Sequence, residues 1–404
     1  MESKGNIIVL AGTKWQIPLV KRIKAEGYAA IVFNLYEDSP AFEYADDYRT
    51  ADILDIETCL KLSRPFAPVA VVSDECDIAT PSVALLAEKL GLPSIGMDKA
   101  KLYTNKYRMR TFGRRHEFHT PVFCKCKTVT QALDFFQIYN KKMIMKPLDG
   151  NSSRGIYTIH CKEDIIKNFE SSLQHSKAEQ SVMLEEYIEG TEFTVDGIVT
   201  EQGHVSLAVS EKRHYAYNEN IACSLYFSYS NPKYDYNKLR KLNDEFVNLS
   251  GLPFGLTHAE YKYSHGQFYL IEIGARGGGN LISAVIVPFL SGIDNYGYLL
   301  SGALGHEYKG KIRLKEKERC AVLHFFDVEK EQGIVKKIWG EEVLSCSPRI
   351  LDYCLYCKEG ERVCRAADDS KRIGYYIAYG DNRKELDDLV RKINDSFRIE
   401  VEET

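Results

Sequence analysis

T-H-A-E-Y-K (residues 257–262) and Y-L-I-E-I-G-A-R-G-G-G-N (residues 269–280) enclose the turn S-H-G (residues 264–266) and contain the residues that decide the fold. The apolar residues around the turn predict a β-hairpin, with Glu260 and Glu272 paired across it. Two carboxylates that close repel each other unless a cation lies between them, and Mg²⁺ carried by nucleotide phosphates suits an oxygen-only site. The hairpin therefore predicts a protein that handles ATP. From spacing alone, two solvated glutamates at the rim of a hairpin are the alternative.

A phosphate-binding loop is predicted upstream, in M-I-M-K-P-L-D-G-N-S-S-R-G-I (residues 143–156). A short apolar strand delivers Lys146, whose fixed charge suits the α- and β-phosphates, and backbone N–H groups of the following loop can cradle phosphate oxygens. The loop residues expected to contact ATP are Ser152, Ser153 and Gly155.

An adenosine site is predicted in V-M-L-E-E-Y-I-E-G-T-E-F-T-V-D-G (residues 182–197), where a buried strand runs into an acidic turn. Adenine needs a backbone donor and acceptor beside an apolar slot, and one carboxylate can serve the ribose hydroxyls. The residues that fit these requirements are Glu185, Glu186, Tyr187 and Ile188 for adenine, and Glu192 for ribose.

The glycine-rich segment after Glu272 is expected to approach the reacting groups. Its glycines let the backbone come close to a ligand, and Asn280 is expected to cap the following helix so that the positive N-terminus points into the site. Arg276 lies between this glutamate and the helix, where a guanidinium can grip an acyl-phosphate as negative charge leaves ATP. A glycine-rich turn with a surface arginine is the alternative.

Two further candidates come from S-E-K-R-H-Y-A-Y-N-E-N (residues 210–220) and from His258. The first stretch is predicted to be a polar loop in which Lys212 could reach the γ-phosphate or the acid substrate; a solvated loop is the alternative. His258, two residues before Glu260, is a candidate base for the amine proton, and a packed strand histidine is the favoured alternative.

The order of these features resembles the ATP-grasp superfamily over nearly the whole chain. The matching residues are Lys106, Lys146 with its loop, Glu185 to Ile188, Glu192, Glu260, Glu272 and Arg276. Within the superfamily the chain is most similar to carboxylate–amine ligases that include the L-amino acid (dipeptide) ligases. The resemblance implies that Lys106, in T-N-K-Y-R-M-R-T-F, is the first phosphate-binding lysine. By itself that segment is typical of an exposed amphipathic helix.

The resemblance also implies ATP and two Mg²⁺ ions, which Mn²⁺ can replace, with Glu260 and Glu272 as ligands. Many members continue the second acidic position as E-x-N, whose Asn is a further ligand, whereas this chain has Gly274. Either Asn280 or water completes the second metal shell, or the site holds its metals more loosely.

Composition agrees with a multidomain enzyme. The 404 residues should form roughly three domain-sized units. A net charge of −4 gives no basic footprint for nucleic acid. The start of the chain does not resemble a signal peptide and no long apolar run occurs, so a cytoplasmic protein without membrane contacts is expected. The eleven cysteines are expected to be free thiols, and Cys354 and Cys357 would face opposite sides of a strand, which disfavours a metal site.

The fold class is α/β (α+β) with the ATP-grasp architecture. The expected parts are an N-terminal parallel-sheet βαβ domain (residues 1–104), a mobile lid (residues 105–197), a central antiparallel sheet with the metal site (residues 198–309), and a small C-terminal α+β domain (residues 310–404).

The N-terminal part shows strands that alternate with helices, which predicts a small parallel sheet. Thr80 and Pro81 are predicted to open a helix as N-cap and first residue. Asp38, Asp74 and Glu75, at strand ends, are candidates for the substrate side of the cleft, and solvated loop acids are an equal alternative.

The resemblance implies a two-step ligase in which a carboxylate attacks the γ-phosphate and an amine then attacks the acyl-phosphate. The expected partners are a small carboxylic acid and an amine, amino acids or similar molecules, and a homodimer stays open. The alternatives are an ATP-grasp kinase or carboxylase of a small molecule, or a nucleotide-binding protein without catalysis. Removing either Glu260 or Glu272 is expected to abolish turnover, and even to stabilise the protein by relieving repulsion.

Overall fold

The computed structural model describes residues 3–150, 154–176, 179–308, 310 and 319–402. Its N-terminal part is a parallel sheet in the order β3-β2-β1-β4, as the alternation of strands and helices predicts. The strands are β1 (Asn6–Leu10), β2 (Ala29–Asn34), β3 (Asp47–Thr50) and β4 (Ala70–Val72). The strands β1 and β2 are runs of mostly apolar residues. They are buried on both faces of the sheet, because helices cover it.

Three helices connect these strands: α1 (Ile17–Ala25), α2 (Ile56–Ser63) and α3 (Ala79–Leu90). The predicted start of α3 is wrong by two residues, since the helix begins at Ala79 rather than Pro81 and Thr80 is buried in its first turn. Gly91 caps the end of the helix and takes the left-handed conformation (φ 69°) that a glycine allows at a helix C-terminus.

Two linking helices, α4 (Met97–Thr104) and α5 (Lys106–Arg115), lead into a second sheet, which is antiparallel. The strands of this lid sheet lie in the order β5-β8-β6-β7. They are β5 (Phe123–Cys126), β6 (Met143–Pro147), β7 (Tyr157–Ile159) and β8 (Val182–Glu186), with α6 (Val129–Tyr139) and α7 (Lys162–Gln174) packed on one face.

Eight of the described strands form the central antiparallel sheet, in the order β13-β12-β9-β10-β11-β14-β18-β16. The first five along the chain are β9 (Thr191–Thr200), β10 (Gly203–Tyr215), β11 (Asn218–Phe227), β12 (Gly255–Ser264) and β13 (Gln267–Gly274). The predicted loop at residues 210–220 is therefore wrong: it is the tip of the β10–β11 hairpin, because Lys212 pairs with Leu225 and both strands continue past it.

The C-terminal part extends this sheet and adds a smaller one. The strands that join the central sheet are β14 (Cys320–Phe325), β16 (Ile350–Leu355) and β18 (Gly374–Gly380); β15 (Gln332–Trp339), β17 (Arg362–Cys364) and β19 (Arg398–Glu402) form the smaller sheet. The helices here are α11 (Glu342–Ser345) and α12 (Arg383–Ser396), and the Asn382 side chain caps α12. The predicted boundary between residues 197 and 198 falls inside β9, and the domain division stays a prediction.

One apolar cluster holds the N-terminal sheet against the central sheet. It joins β1 and α1 to the inner faces of β9 to β11, β14 and β18 through α10 (Asn295–Ala303). The central sheet has α8 (Tyr236–Ser250) on its other face, and α9 (Val287–Ser291) follows the glycine-rich segment. This packing leaves a cleft between the lid sheet, the central sheet and the N-terminal part. No helix in the described ranges is long and apolar enough to cross a membrane.

Candidate active site

The two glutamates of the hairpin face each other. Glu260 and Glu272 are paired residues of β12 and β13, with a β-bulge directly after Glu260, so the predicted pairing is correct. Each carboxylate has its own lysine: Lys212 Nζ lies 2.6 Å from Glu260 Oε1, and Lys106 Nζ lies 2.7 Å from Glu272 Oε1. Burial alone would raise the pKa of Glu260, but the Lys212 charge lowers it. Both carboxylates therefore already have cationic partners.

Lys106 is the first residue of α5 and is only 2% exposed. Asn105 caps this helix, and Lys106 Nζ also donates to the Gly150 carbonyl at 2.8 Å. An exposed amphipathic helix is therefore the wrong description of this segment. Its buried residues, among them Met109 and Arg110, pack against the central and lid sheets.

Lys146 forms a buried ion pair with Glu185, as neighbouring strands β6 and β8 bring them together. Arg110 completes the cluster with a two-point contact: Nε lies 2.8 Å and Nη2 lies 3.1 Å from the Glu185 oxygens. Burial raises the pKa of Glu185, yet the two cations outweigh burial and lower it, while burial lowers the pKa of Lys146. The Glu185 side chain is thus committed to ion pairs with Arg110 and Lys146, so the predicted adenine contact would have to come from its backbone.

Glu192 lies in a polar group next to the hairpin. Lys212 Nζ is 2.7 Å from Glu192 Oε1, and His214 Nε2 is 3.4 Å from Oε2. Burial raises the pKa of Glu192 but Lys212 and His214 lower it overall, so the carboxylate stays ionised. Tyr187 lies nearby, with the Lys142 ammonium over its ring at 3.8 Å.

The segment at the end of β8, the predicted adenine contact, is partly exposed. Glu186 pairs with Lys141 at 2.6 Å, and Ile188 is buried beside the cleft. Glu185, Glu186, Tyr187 and Ile188 all line the cleft, so the structure brings the predicted adenine residues together.

Arg276 is bound by an acid from the N-terminal part. Its Nε and Nη2 each lie 2.8 Å from one oxygen of Asp77, and Nη1 donates to the Gly277 carbonyl at 2.9 Å. The carboxylate raises the pKa of Arg276 further, and Arg276 keeps the pKa of Asp77 below its usual value against the effect of burial. Arg276 is therefore a fixed cation in the cleft and not a surface residue.

Two other acids hold the glycine-rich segment. Asp74, 1% exposed, accepts from Gly277 N at 2.7 Å, Ser283 Oγ at 2.5 Å and Tyr296 Oη at 2.9 Å. Glu75 lines the cleft, as predicted, and accepts from Leu281 N at 3.2 Å. Burial raises the pKa of both acids.

Asp38 does not share this position. It is exposed and is not among the residues that line the cleft, which agrees with the alternative of a solvated loop acid.

The predicted cap by Asn280 is wrong. Asn280 and Leu281 both take left-handed conformations (φ 56° and 64°), and a π-helical turn over Ile282–Ile286 follows, with α9 only after it. Close packing explains this path: a Cβ on Gly277 would lie 2.3 Å from Ser283 Cβ, and one on Gly278 would lie 2.6 Å from Asp196 Oδ1. Asn280 nevertheless lines the cleft, where its side chain is available to a ligand.

His258 forms a dyad with a buried acid. Its Nδ1 lies 2.8 Å from Asp196 Oδ1, and its Nε2 lies 3.9 Å from Glu260 Oε1. Asp196 Oδ2 is buried without a hydrogen-bond partner among the described residues. Asp196 therefore fixes the tautomer with the proton on Nδ1 and leaves Nε2 toward the cleft.

These residues surround one cleft of about 550 Å³. Of the predicted loop residues, Ser152 and Ser153 lie outside the described part of the chain. Gly155 has φ 70° and does not itself line the cleft, although Arg154 and Ile156 beside it do.

The carboxylates of Glu260 and Glu272 fit Mg²⁺ as two ligands, and other ligands must complete the coordination shell of the ion. Among the described residues, no three His, Cys, Asp or Glu side chains converge to form a metal site. Glu260 and Glu272 face each other with oxygen donors only, which suits Mg²⁺ when nucleotide phosphates supply the remaining ligands. The eleven cysteines, all within the described ranges, are free, and Cys354 and Cys357 are half-buried and buried respectively.

Several cleft residues lie in places that the sequence did not single out. Arg110 and Asp77 act through contacts between segments far apart in the chain, and no local pattern identifies them. Residues of the C-terminal part form one wall of the cleft, and the sequence did not single them out: Leu323, Phe325, Asp369 and Arg372.

Comparisons with known proteins identify two domains in this chain. Residues 139–284 match the ATP-grasp domain, and residues 326–402 match the L-amino acid ligase C-terminal domain 2. A phosphoribosylamine–glycine ligase of Methanococcus maripaludis is 25% identical over 373 residues, which cover 82% of this chain and 80% of that protein.

Solved structures show the same fold. The L-amino acid ligase from Bacillus licheniformis has a TM-score of 0.82 at 19% identity and covers 100% of both chains. The biotin carboxylase domain of the 2-oxoglutarate carboxylase from Hydrogenobacter thermophilus, solved with MgADP, has a TM-score of 0.75 at 15% identity over 98% of this chain and 90% of that one. The chain therefore contains an ATP-grasp domain and the L-amino acid ligase C-terminal domain 2.

Proposed function

We propose that the chain is an ADP-forming carboxylate–amine ligase that joins amino acids or similar small molecules through an acyl-phosphate. The observation that carries this proposal is Arg276, a fixed guanidinium beside the facing glutamates in a cleft shared by the lid, central and N-terminal parts. The C-terminal domain match and the fold shared with an L-amino acid ligase support the amide-forming reaction.

In the first step, a carboxylate oxygen of the acid substrate attacks the γ-phosphorus of ATP, and the bond to the β–γ bridging oxygen breaks to release ADP. Lys106 and Lys146 hold the phosphates, and Arg276 stabilises the charge that moves onto the acyl-phosphate. Mg²⁺, or Mn²⁺ in its place, would be held by Glu260, Glu272 and the candidate ligand Asn280, and it supplies charge neutralisation on the phosphates when bound. Lys212 exchanges its carboxylate partners for phosphate oxygens.

In the second step, the amine nitrogen attacks the acyl carbon. The C–N bond forms, the carbon–oxygen bond to phosphate breaks, and phosphate leaves with the electron pair. The amine must lose a proton, and His258 is the candidate base because Asp196 holds its Nδ1–H and leaves Nε2 free to accept. Arg276 stays against the leaving phosphate.

The test combines turnover with product identification. Amino acids and amines are screened in pairs for ADP and phosphate release in the presence of MgATP, and the product is weighed by mass spectrometry. We expect ADP release to require both partners and the product mass to equal acid plus amine minus water. Phosphate transfer to a single substrate would indicate a kinase instead of a ligase. Incorporation of bicarbonate would indicate a carboxylase.

A further inference from the structure

Arg372 is a buried cation in the wall of the cleft that the proposed reaction does not use. It is 9% exposed, lies two residues before β18, and its guanidinium carbon is 3.3 Å from the centroid of the Phe325 ring. Both residues line the cleft. The aromatic ring shields one face of the guanidinium from water, which strengthens its interaction with any anion.

The hydrogen bonds of Arg372 are incomplete. Nε and Nη2 both donate to the same oxygen of Asp369, at 3.1 Å and 2.5 Å. Nη1 is buried and has no hydrogen-bond partner among the described residues. A buried charged donor without a partner is costly, and a guanidinium fork matches the two oxygens of a carboxylate. The side chain is thus oriented by Asp369 and lacks one acceptor.

The position of Arg372 separates it from the nucleotide. Lys106 contacts Glu272 of β13 and Lys146 lies on β6 of the lid, whereas Arg372 stands against β14, four strands from β12 in the sheet order. Leu323 and Phe325 give this end of the cleft an apolar wall. After ATP occupies the lysine end, this is the side on which a second substrate has room.

We propose that Arg372 binds an anionic group carried by the amine substrate, and that this group is the α-carboxylate of an amino acid. The inference rests on the proposed ligase function and narrows its amine to an anion-bearing one. A phosphate on the amine presents the same chemistry, so the experiment includes both kinds of anion. Asp369 is a positioning residue that orients the guanidinium.

The first measurement is a competition. At a fixed acid substrate, an L-amino acid and its amide compete at equal concentration, and mass spectrometry gives the ratio of dipeptide to dipeptide amide. We expect Arg372→Leu to lower this ratio by at least about tenfold, since one charge-assisted hydrogen bond is lost, with the amide product unchanged. Arg372→Lys should recover part of the ratio, and Lys371→Leu, which removes an exposed neighbouring cation, should leave it as in the wild type.

An unchanged ratio in Arg372→Leu would overturn the proposal. If O-phosphoethanolamine is used by the wild type and lost in Arg372→Leu while the amino acid to amide ratio stays the same, the anion is a phosphate and the α-carboxylate assignment is overturned.

The second measurement needs no turnover, so it separates this inference from the proposed function. The melting temperature of the protein with ADP and Mg²⁺ is recorded with millimolar L-amino acid, its amide or O-phosphoethanolamine. We expect the L-amino acid to raise the melting temperature more than its amide in the wild type and in Lys371→Leu, but not in Arg372→Leu. A rise with O-phosphoethanolamine alone would overturn the α-carboxylate assignment. Equal effects of anion and amide in the wild type would refute the site, whatever the enzyme catalyses.

Discussion

Lys106 and Glu272 form an ion pair, with 2.7 Å between Nζ and Oε1, that ties the first turn of α5 to the hairpin of the central sheet. The same arrangement recurs for Lys212 and Glu260. Each glutamate expected to hold Mg²⁺ is therefore neutralised by a lysine expected to hold phosphate. When nucleotide and metal bind together, each lysine can exchange its glutamate for phosphate while each glutamate exchanges its lysine for metal. Either ligand alone would leave a buried charge without its partner.

The first prediction concerns this exchange. Glu272→Gln should abolish turnover and remove the Mg²⁺ dependence of ADP binding, measured by calorimetry with and without the metal. It should also destabilise the protein by an amount on the order of 1 to 3 kcal/mol, because Lys106 is buried and loses its anionic partner. The exposed Glu245→Gln is the matched control. A melting temperature above that of the wild type would show that repulsion between the glutamates dominates instead.

The sequence predicted the hairpin, the pairing of its glutamates and the cleft position of Lys106, Lys146 and Arg276, because these follow from local patterns and a resemblance in their order. It also led to the expectation that removing a glutamate would relieve repulsion. The structure overturns the basis of that expectation, since Lys106 and Lys212 come from other elements and no local pattern shows that they pair with these acids.

The remaining errors have the same origin. Residues 210–220 are polar enough for a loop, but they form a β-hairpin from which Lys212, His214 and Glu219 line the cleft. The loop at Asn280 departs from a capped helix because packing of Gly277 and Gly278 against distant residues fixes its path. Local sequence determines propensity and periodicity. Contacts between distant segments determine the path of the chain at residues 210–220 and at Asn280.

A second prediction concerns nucleotide affinity. Lys146→Ala should weaken ATP and ADP binding alike, by about 2 to 3 kcal/mol for a lost charge-assisted phosphate contact. Arg110 still neutralises Glu185, so the fold should persist. Calorimetry with ADP measures the loss, and Lys167→Ala, an exposed lysine of the lid, should bind like the wild type. Unchanged ADP binding in Lys146→Ala would mean that this strand does not hold phosphate.

A third prediction concerns pH. Burial, and then the nearby Asp74, raise the pKa of Glu75 well above its usual value. The folded protein thus keeps a proton that the unfolded chain releases above about pH 4.3, so stability falls as pH rises from there through the folded pKa. Glu75→Gln has no such proton.

The melting temperature of Glu75→Gln should therefore match that of the wild type near about pH 4 and exceed it at neutral pH. Asp38→Asn, at an exposed acid, should show no such trend. A neutral-pH melting temperature below that of the wild type would mean that the Glu75 charge is stabilised by its partners.

The last prediction separates chemistry from binding at Arg276. If its guanidinium stabilises the acyl-phosphate and the transition state that leads to it, Arg276→Ala should leave ATP binding nearly intact and lower kcat by at least about a hundredfold. Arg276→Lys should recover only part of this loss, because an ammonium cannot reproduce a two-point grip on phosphoryl oxygens. Steady-state kinetics and ADP calorimetry measure the two effects separately.

Asp77 gives this prediction its internal control. Asp77 accepts from Nε and Nη2 of Arg276 through two 2.8 Å contacts, so it fixes where the guanidinium points. Asp77→Asn keeps the cation but loses the charged half of that grip, so kcat should fall by less than in Arg276→Ala, with ATP binding again unchanged. In Arg276→Ala itself, a higher KM for ATP with kcat unchanged would make Arg276 an ordinary nucleotide contact. The reacting carboxylate would then lie elsewhere in the cleft, since no guanidinium at this position would be stabilising the charge that leaves ATP.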